Sequence, residues 1–439
     1  MSDKDNRRWI WEFLKPLWPT FREVLAMSLF VNIIALAVPV FVLQVYDRVV
    51  FHSGMSTLKG LVIGMACVLT FDYILRQSRS RIMQTVALRV DVLVGRRIFE
   101  KVIELPLSVL ESKPAAHWQS LFRDVDVVRN TLSGASAILL ADLPFAFLFL
   151  GLAFIIAAPI AWVLLVMVPI FMAVAWRSGA VMSAANKAER ETTQSRDSLI
   201  AEMIAGRTTI KALALDRAMR PIWEEKHADN IDRSVSRGSR ADGYSNLGTT
   251  LTLLTSISLT TVGALAIMNQ ELTIGALIAT NMLSGRLLGP LNQLVGQWRT
   301  YAGFRQATAR LGETFAIPSD RQTSEVKLER PKGHLKLEEV TFAYGPDAAP
   351  VVDGVSLEID QSGIHALVGR NGSGKTTLLK IIQGLYRPAS GRVLLDGADV
   401  NQFSRVELAE WMGYVPQDCV LFAGTVRDNI VHRYPHADD

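Results

Sequence analysis

The sharpest chemistry in this 439-residue sequence lies at Gly369-Arg370-Asn371-Gly372-Ser373-Gly374-Lys375-Thr376-Thr377. The run fits G-x-x-x-x-G-K-[ST], a phosphate-binding loop pattern. Each residue type has a task. Glycines let backbone N–H groups close around phosphate oxygens, at a helix N-terminus whose dipole favours negative charge. Lys375 brings a cation to β- and γ-phosphates, and Thr376 offers a hydroxyl to Mg²⁺. The alternative is a Gly-rich surface turn. A phosphate loop needs a strand before it and a helix after it. Residues 364–368 read as that strand and 378–385 as that helix, while 335–340 and 355–359 read as further strands.

The rest of the chain is unlike a soluble nucleotide enzyme. Hydrophobic residues make up 49% and charged residues 20%, against about 25% charged in an average soluble domain. Mean hydropathy is +0.23. A disordered chain needs the opposite balance. The net charge of +4 is too small to point to nucleic acid, and no nucleic-acid partner is expected. The two cysteines, Cys67 and Cys419, lie far apart, which argues against a disulfide framework.

The apolar residues fall into blocks. Residues 24–45 carry no charge and match the length of a bilayer-spanning helix. Residues 57–75 form a second span, with Lys59 able to snorkel outward and Asp72 placed to pair with Arg76. Residues 136–176 hold one charge, Asp142, and read as two spans, 136–157 and 159–176, turning at Pro159. Residues 247–270 form a fifth span. Residues 272–298 form the sixth and weakest, interrupted by Arg286 and Pro290. Asp142 belongs either to a path through the membrane or to an interface at the end of its span. Arg286 either faces such a path or snorkels.

Lys and Arg crowd the N-terminal segment and the stretches 76–129 and 177–240, while the opposite loops hold little beyond Arg48 and Glu271. The positive-inside rule then places both termini and both long loops in the cytoplasm. Within segment 1–23, Trp9, Trp11, Phe13 and Trp18 mixed with Arg8 and Lys15 fit a helix in the membrane interface or an aromatic belt before the first span. Residues 57–104 as one helix would be roughly 70 Å long, far more than a bilayer core. The second long loop has the same helical character, with a break near Gly206. The membrane domain is thus 24–317, with a polar linker at 318–332 and the nucleotide domain at 333–439. A nucleotide domain joined to helices projecting from the membrane suggests mechanical coupling.

With these residues placed, the chain resembles an ABC exporter with fused transmembrane and nucleotide-binding domains. Phe342-Ala343-Tyr344 resembles the segment whose aromatic stacks on adenine. Val415-Pro416-Gln417-Asp418 resembles the Q-loop, whose glutamine contacts Mg²⁺ and the attacking water. Leu421 to Ile430 resembles the segment next to the Q-loop in exporters. Alone, Tyr344 would read as a core aromatic and Gln417 as a solvated loop residue.

Gln44-Val45-Tyr46-Asp47-Arg48-Val49, Leu105-Pro106 with Glu111-Ser112, and Asp142-Leu143-Pro144-Phe145 resemble the type I secretion group. The resemblance implies ATP and Mg²⁺ as cofactors. Gly369, Arg370, Asn371, Gly372, Ser373, Gly374, Lys375, Thr376, Thr377 and Tyr344 would bind the nucleotide. Thr376 and Gln417 would serve the metal, and Gln417 the catalytic water.

It also implies coupling helices near 107–118 and 206–216, and export of a polypeptide across the inner (plasma) membrane. The partners would be a homodimeric second copy, a periplasmic adaptor (membrane fusion) protein and an outer-membrane channel. The fold expected is an α-helical six-span membrane domain with long cytoplasmic helices, then an incomplete α/β P-loop domain. It is incomplete because the signature motif, the Walker B acids and the switch histidine have no match here, so the chain alone is not expected to hydrolyse ATP. Export of lipids or small molecules, and a non-catalytic nucleotide-binding membrane scaffold, are the competing functions.

Overall fold

A computed structural model describes residues 9, 11, 15–50, 54–320, 330–345, 347–417, 419–432 and 434. They fall into two compact units, one drawn from 1–99 and 116–316, the other from 100–115 and 317–439.

The first unit is helical. Trp18–Ala35 (α1) carries Pro19 in its first turn, where a missing N–H is tolerated. Ala37–Gln44 (α2) runs into a π-helical stretch, Val45–Val50. Met55–Glu104 (α3) is one helix of about 75 Å at ~1.5 Å per residue, and Asp72 and Arg76 pair on it at 2.7 Å. After the short helix Leu107–Glu111 (α4), which belongs to the second unit, come Ala115–Ser133 (α5), Ala135–Asp142 (α6) and Ala146–Ala205 (α7). The backbone of α7 leaves helical geometry at Ala157 (φ −147°, ψ 58°). That break lies two residues before Pro159, because the proline ring and its missing N–H disturb the turn preceding it. Gly206 separates α7 from Arg207–Ala212 (α8), and Asp216–Met268 (α9) and Ile274–Ala316 (α10) complete the unit.

Among the described residues, four segments are long and apolar enough to cross a membrane: Lys15–Val50, Met55–Glu104, Ala115–Ala205 and Asp216–Met268. The third covers residues 136–176, where two spans are expected, as one segment. α10, interrupted by Arg286 and Pro290, is not among the four. Its first half nonetheless lies in their core, where Leu283, Leu287 and Leu288 pack with Phe149, Ile160 and Leu164 of α7 and Leu259 of α9. Most of segment 1–23 lies outside the described residues; Trp9 meets the Phe315 ring at 5.3 Å.

Asp142 and Asp47 each join separate elements of this unit. Asp142 accepts from Arg79 Nη1 at 2.9 and 3.1 Å and from Asn32 Nδ2 at 3.0 Å, while Arg79 also donates to Ser28 Oγ at 3.1 Å. Asp142 is therefore an interface residue joining α1, α3 and α6. Asp47, in the π-helical stretch, accepts from Thr273 Oγ1 at 2.6 Å and from the Gly275 backbone N at 3.0 Å. It so caps the start of α10. A Cβ on Gly275 would lie 2.5 Å from Asp47 Oδ1, so a side chain there meets the cap.

The second unit holds a four-stranded antiparallel sheet in the order β2-β1-β3-β4, from Leu335–Phe342 (β1), Val352–Ile359 (β2), Ser390–Leu395 (β3) and Ala398–Asp399 (β4). Lys375–Ile382 (α11), Arg405–Trp411 (α12) and Val426–Val431 (α13) accompany it. The core gathers Leu337, Val340, Phe342, Ile381, Tyr386 and Val393.

The strand expected at 364–368 does not form. Ile364 and Val368 are 101% and 86% exposed. A strand exists through the ladder its neighbour completes, and among the described residues no strand pairs with this one. The expected linker is tied down at its described ends. Lys101 Nζ bonds Ser319 Oγ at 2.7 Å, the Asp320 N–H bonds Glu104 O at 2.7 Å, and the Lys332 N–H bonds Asp396 Oδ2 at 2.5 Å. Its middle, 321–329, lies outside the described residues.

Candidate nucleotide-binding site

The loop 369–377 is built by its glycines. Gly372 and Gly374 sit at φ +81° and +85°, a left-handed geometry that side chains resist. At Gly374 a Cβ would also stand 2.8 Å from Val351 O, just before β2, so a side chain there meets backbone. Gly374 passes straight into α11, which begins at Lys375 and not at 378 as expected. The N–H groups of that first turn have no intrahelical acceptor, and they sit at the positive end of the helix dipole.

The ligand-binding groups are close and accessible. Lys375 Nζ folds back over the loop, bonding Gly369 O at 2.9 Å and Arg370 O at 2.7 Å. Thr376 is exposed and makes no side-chain hydrogen bond among the described residues, leaving its hydroxyl oxygen available to a hard cation such as Mg²⁺. Asn371 and Ser373 line the exposed loop, and the Ser373 N–H bonds Arg370 O at 3.2 Å to close its turn. The donor set fits a nucleotide phosphate with its metal: convergent N–H groups, one ammonium and one unengaged hydroxyl.

Tyr344 is brought to this loop. Its hydroxyl and Thr377 Oγ1 are 2.8 Å apart, and the residue is 60% exposed. Its ring is nearly perpendicular to those of Phe342 and Tyr386, at 5.2 and 5.8 Å. Gln417 lies on an exposed stretch, and no hydrogen bond among the described residues joins it to the loop. The segment after it folds locally. Thr425 and Asp428 form a capping box at α13, and Asn429 Nδ2 bonds the Phe422 and Thr425 carbonyls.

A second polar cluster within this unit was not legible from motif spacing. Glu111, at the end of α4, accepts from Lys380 Nζ at 2.8 and 3.0 Å and from the Tyr386 hydroxyl. Lys380 lies on α11, the helix that carries the phosphate loop. Tyr386 stacks on Phe342 at 5.0 Å with the planes 8° apart. Burial pushes the Tyr386 phenol up to about 12, aided by the Glu111 carboxylate. Burial opposes the charge of Glu111, yet Lys380 and Tyr386 together hold its carboxyl below the ordinary value. The expected coupling segments, 107–118 and 206–216, contain the short helices α4 and α8.

Comparison with known proteins agrees with this architecture. Residues 22–291 match the family described as ABC transporter transmembrane region, and residues 352–439 match the ABC transporter family. The chain is similar to the toxin RTX-I translocation ATP-binding protein of Actinobacillus pleuropneumoniae, 31% identical over 416 residues, covering 93% of this chain and 58% of that protein. It is 31% identical over 418 residues to the leukotoxin export ATP-binding protein LtxB of Aggregatibacter actinomycetemcomitans, covering 94% and 59%. It is 30% identical over 416 residues to the exotoxin translocation ATP-binding protein PaxB of Pasteurella aerogenes, covering 93% and 58%. The chain thus spans less than two thirds of the length of these relatives. An apolar helical unit, a formed phosphate loop and matches to both halves of one architecture lead to a single assignment: the chain belongs to the ABC transporter family.

Proposed function

We propose that this chain binds ATP with Mg²⁺ and belongs to an ATP-driven exporter of polypeptides across the inner membrane. In this reading it is the transporter component of a type I secretion system. The observation that carries the reading is the collinear similarity over 93% of the chain to proteins named for toxin translocation. The loop geometry supports the nucleotide. Lys375, Thr376 and the N–H groups of 369–377 hold the phosphates and metal, Tyr344 offers a ring to adenine, and Gln417 serves the metal and the attacking water.

In this proposal the membrane half, 24–317, crosses six times with both termini cytoplasmic, and 333–439 belongs to a nucleotide-binding domain. The Lys/Arg asymmetry supports the orientation, and the packing of α10 against α7 and α9 supports the sixth span. The working assembly is a homodimer, with a periplasmic adaptor and an outer-membrane channel as partners and a secreted polypeptide as substrate. Hydrolysis and export belong to the proposal for the assembly.

The test is nucleotide binding by the purified chain in detergent, read with trinitrophenyl-ATP fluorescence. Binding is expected to be saturable and strengthened by Mg²⁺. Lys375→Ala should weaken it at least about tenfold, since a charge-assisted phosphate contact is worth about 1.5–3 kcal/mol. Equal binding by Lys375→Ala would remove the loop from the function.

A further inference from the structure

α10 has two unlike faces. One is core, with Leu283, Leu287, Leu288 and Leu291 buried. The other is open and carries Met282, Gly285, Arg286, Gly289 and Gln293. The open side of α7 has a different composition: Ile155, Trp162, Val166 and Ile170 stand exposed there. Bulky apolar chains suit hydrocarbon; a glycine–arginine–glutamine face does not. Nothing lies within 4 Å of where a Cβ would sit on Gly285 or Gly289, so this face has free space in front of it. Arg286 is exposed and makes no side-chain hydrogen bond or ion pair among the described residues.

Depth argues against a simple escape to water. Arg286 comes about 18 Å along the helix from Ile274, beyond the middle of a hydrocarbon core about 30 Å thick. Side chains on a helix tilt toward its N-terminus. Here that direction leads back toward the membrane centre and away from the nearer boundary, so snorkelling is disfavoured. Within 247–298 the one acid is Glu271, at the turn before α10, so the counter-charge is not supplied by this part of the chain. A second copy packed on the same face across a two-fold axis would set Arg286 against its own like charge. That outweighs the Gly285-x-x-x-Gly289 spacing, which would otherwise favour close helix packing.

We propose that Arg286 faces a water-filled path through the membrane half and attracts carboxylate groups of the polypeptide in transit. This deepens the proposed export function and rests on it. Gly285 and Gly289 leave width for an extended chain beside the guanidinium, and Gln293 continues the polar face.

The experiment uses the whole chain with Cys67→Ala, Cys419→Ser and one new cysteine, Gly289→Cys, in phosphatidylcholine vesicles. Labelling rates are measured with an anionic sulfonatoethyl and a cationic trimethylammonioethyl methanethiosulfonate. The thiol introduced by Gly289→Cys should react with both and favour the anion, whereas the one introduced by Ile155→Cys should stay inert. Arg286→Gln should lower the anion-to-cation rate ratio about sevenfold, the effect of a unit charge about 7 Å away in water acting on both reagents. Arg286→Lys should preserve the ratio. Poly-glutamate of about twenty residues should slow labelling more than poly-lysine.

An inert thiol in the Gly289→Cys variant overturns the path, and a ratio unmoved by Arg286→Gln overturns the role of Arg286. Equal slowing by the two peptides overturns the carboxylate assignment. Nucleotide binding measured on the same preparation keeps these failures distinct from failure of the proposed function.

Discussion

Asp142→Ala should cost the membrane half about 3 kcal/mol. The carboxylate holds three contacts at 2.9–3.1 Å, two from Arg79 and one from Asn32. The Arg79 side chain is 9% exposed and that of Asp142 22%. Removing the acid leaves a buried guanidinium with the Ser28 hydroxyl as its remaining described partner. Breaking a buried pair costs about 3–5 kcal/mol, and replacing both members by apolar residues of similar volume is often close to neutral. The residual exposure of Asp142 puts the single substitution at the lower end. The double variant Arg79→Met with Asp142→Leu should lose only about 1–2 kcal/mol, mostly the Asn32 bond. With Arg79→Met and Asp142→Leu as the single corners, each leaving one buried charge unpaired, the coupling energy in a double-mutant cycle should be about 2 kcal/mol or more. Equilibrium unfolding in sodium dodecyl sulfate mixed micelles, followed by tryptophan fluorescence, measures each corner. A loss below about 1 kcal/mol for Asp142→Ala, or additive singles, would refute the buried-pair reasoning. It would return Asp142 to the path.

Gly275→Ala places a Cβ 2.5 Å from Asp47 Oδ1 and should cost about 1–3 kcal/mol in the same assay; in an Asp47→Ala background the cost should shrink, because the obstructing carboxylate is gone. Glu111 has a folded-state pKa below its ordinary 4.5, so its stabilisation is complete above that value and is lost as pH falls through the depressed one. Glu111→Gln should therefore lower the melting temperature at pH 7, and the difference from the unsubstituted chain should vanish in acid below the depressed value; a difference that is constant with pH would refute the ion pair. For topology, Asn269→Cys should react with an impermeant maleimide from the periplasmic side and Ser112→Cys should not.

What the sequence made legible is what short-range composition controls. The uncharged run at 24–45 and the proline-free stretch to Glu104 announce helices, because apolar length and propensity act within a few turns. Gly206 falls between α7 and α8, and Pro106 and Pro114 flank α4, since both residue types punctuate helices wherever they sit. The strand expected at 364–368 fails for the opposite reason. Its β-rich composition fits a strand, but pairing is decided by a neighbour that composition does not name. β3 and α12 were missed for the same reason. Ser390–Leu395 alternates weakly and gains its place from the register against β1, with Leu337 opposite Val393.

The charged membrane residues show where such reading stops. Asp142 lies 63 positions from Arg79 and Asp47 lies 226 from Thr273, and no periodicity within a helix says which faces meet. The phosphate loop is the contrary case, since its glycines, lysine and threonines are neighbours in the chain and its geometry is local. Even there the structure adds something the motif does not contain. Lys375 is already engaged by the Gly369 and Arg370 carbonyls. Phosphate binding must therefore exchange two neutral acceptors for a charged one. A charge-assisted bond is roughly twice as strong as a neutral one, so the exchange favours phosphate. This explains why an alanine at 375 acts twice, opening the resting loop and removing the cation. It also explains why an arginine should not replace it. A planar guanidinium does not reproduce the compact ammonium and its three rotatable donors, so Lys375→Arg should bind trinitrophenyl-ATP more weakly than the unsubstituted chain.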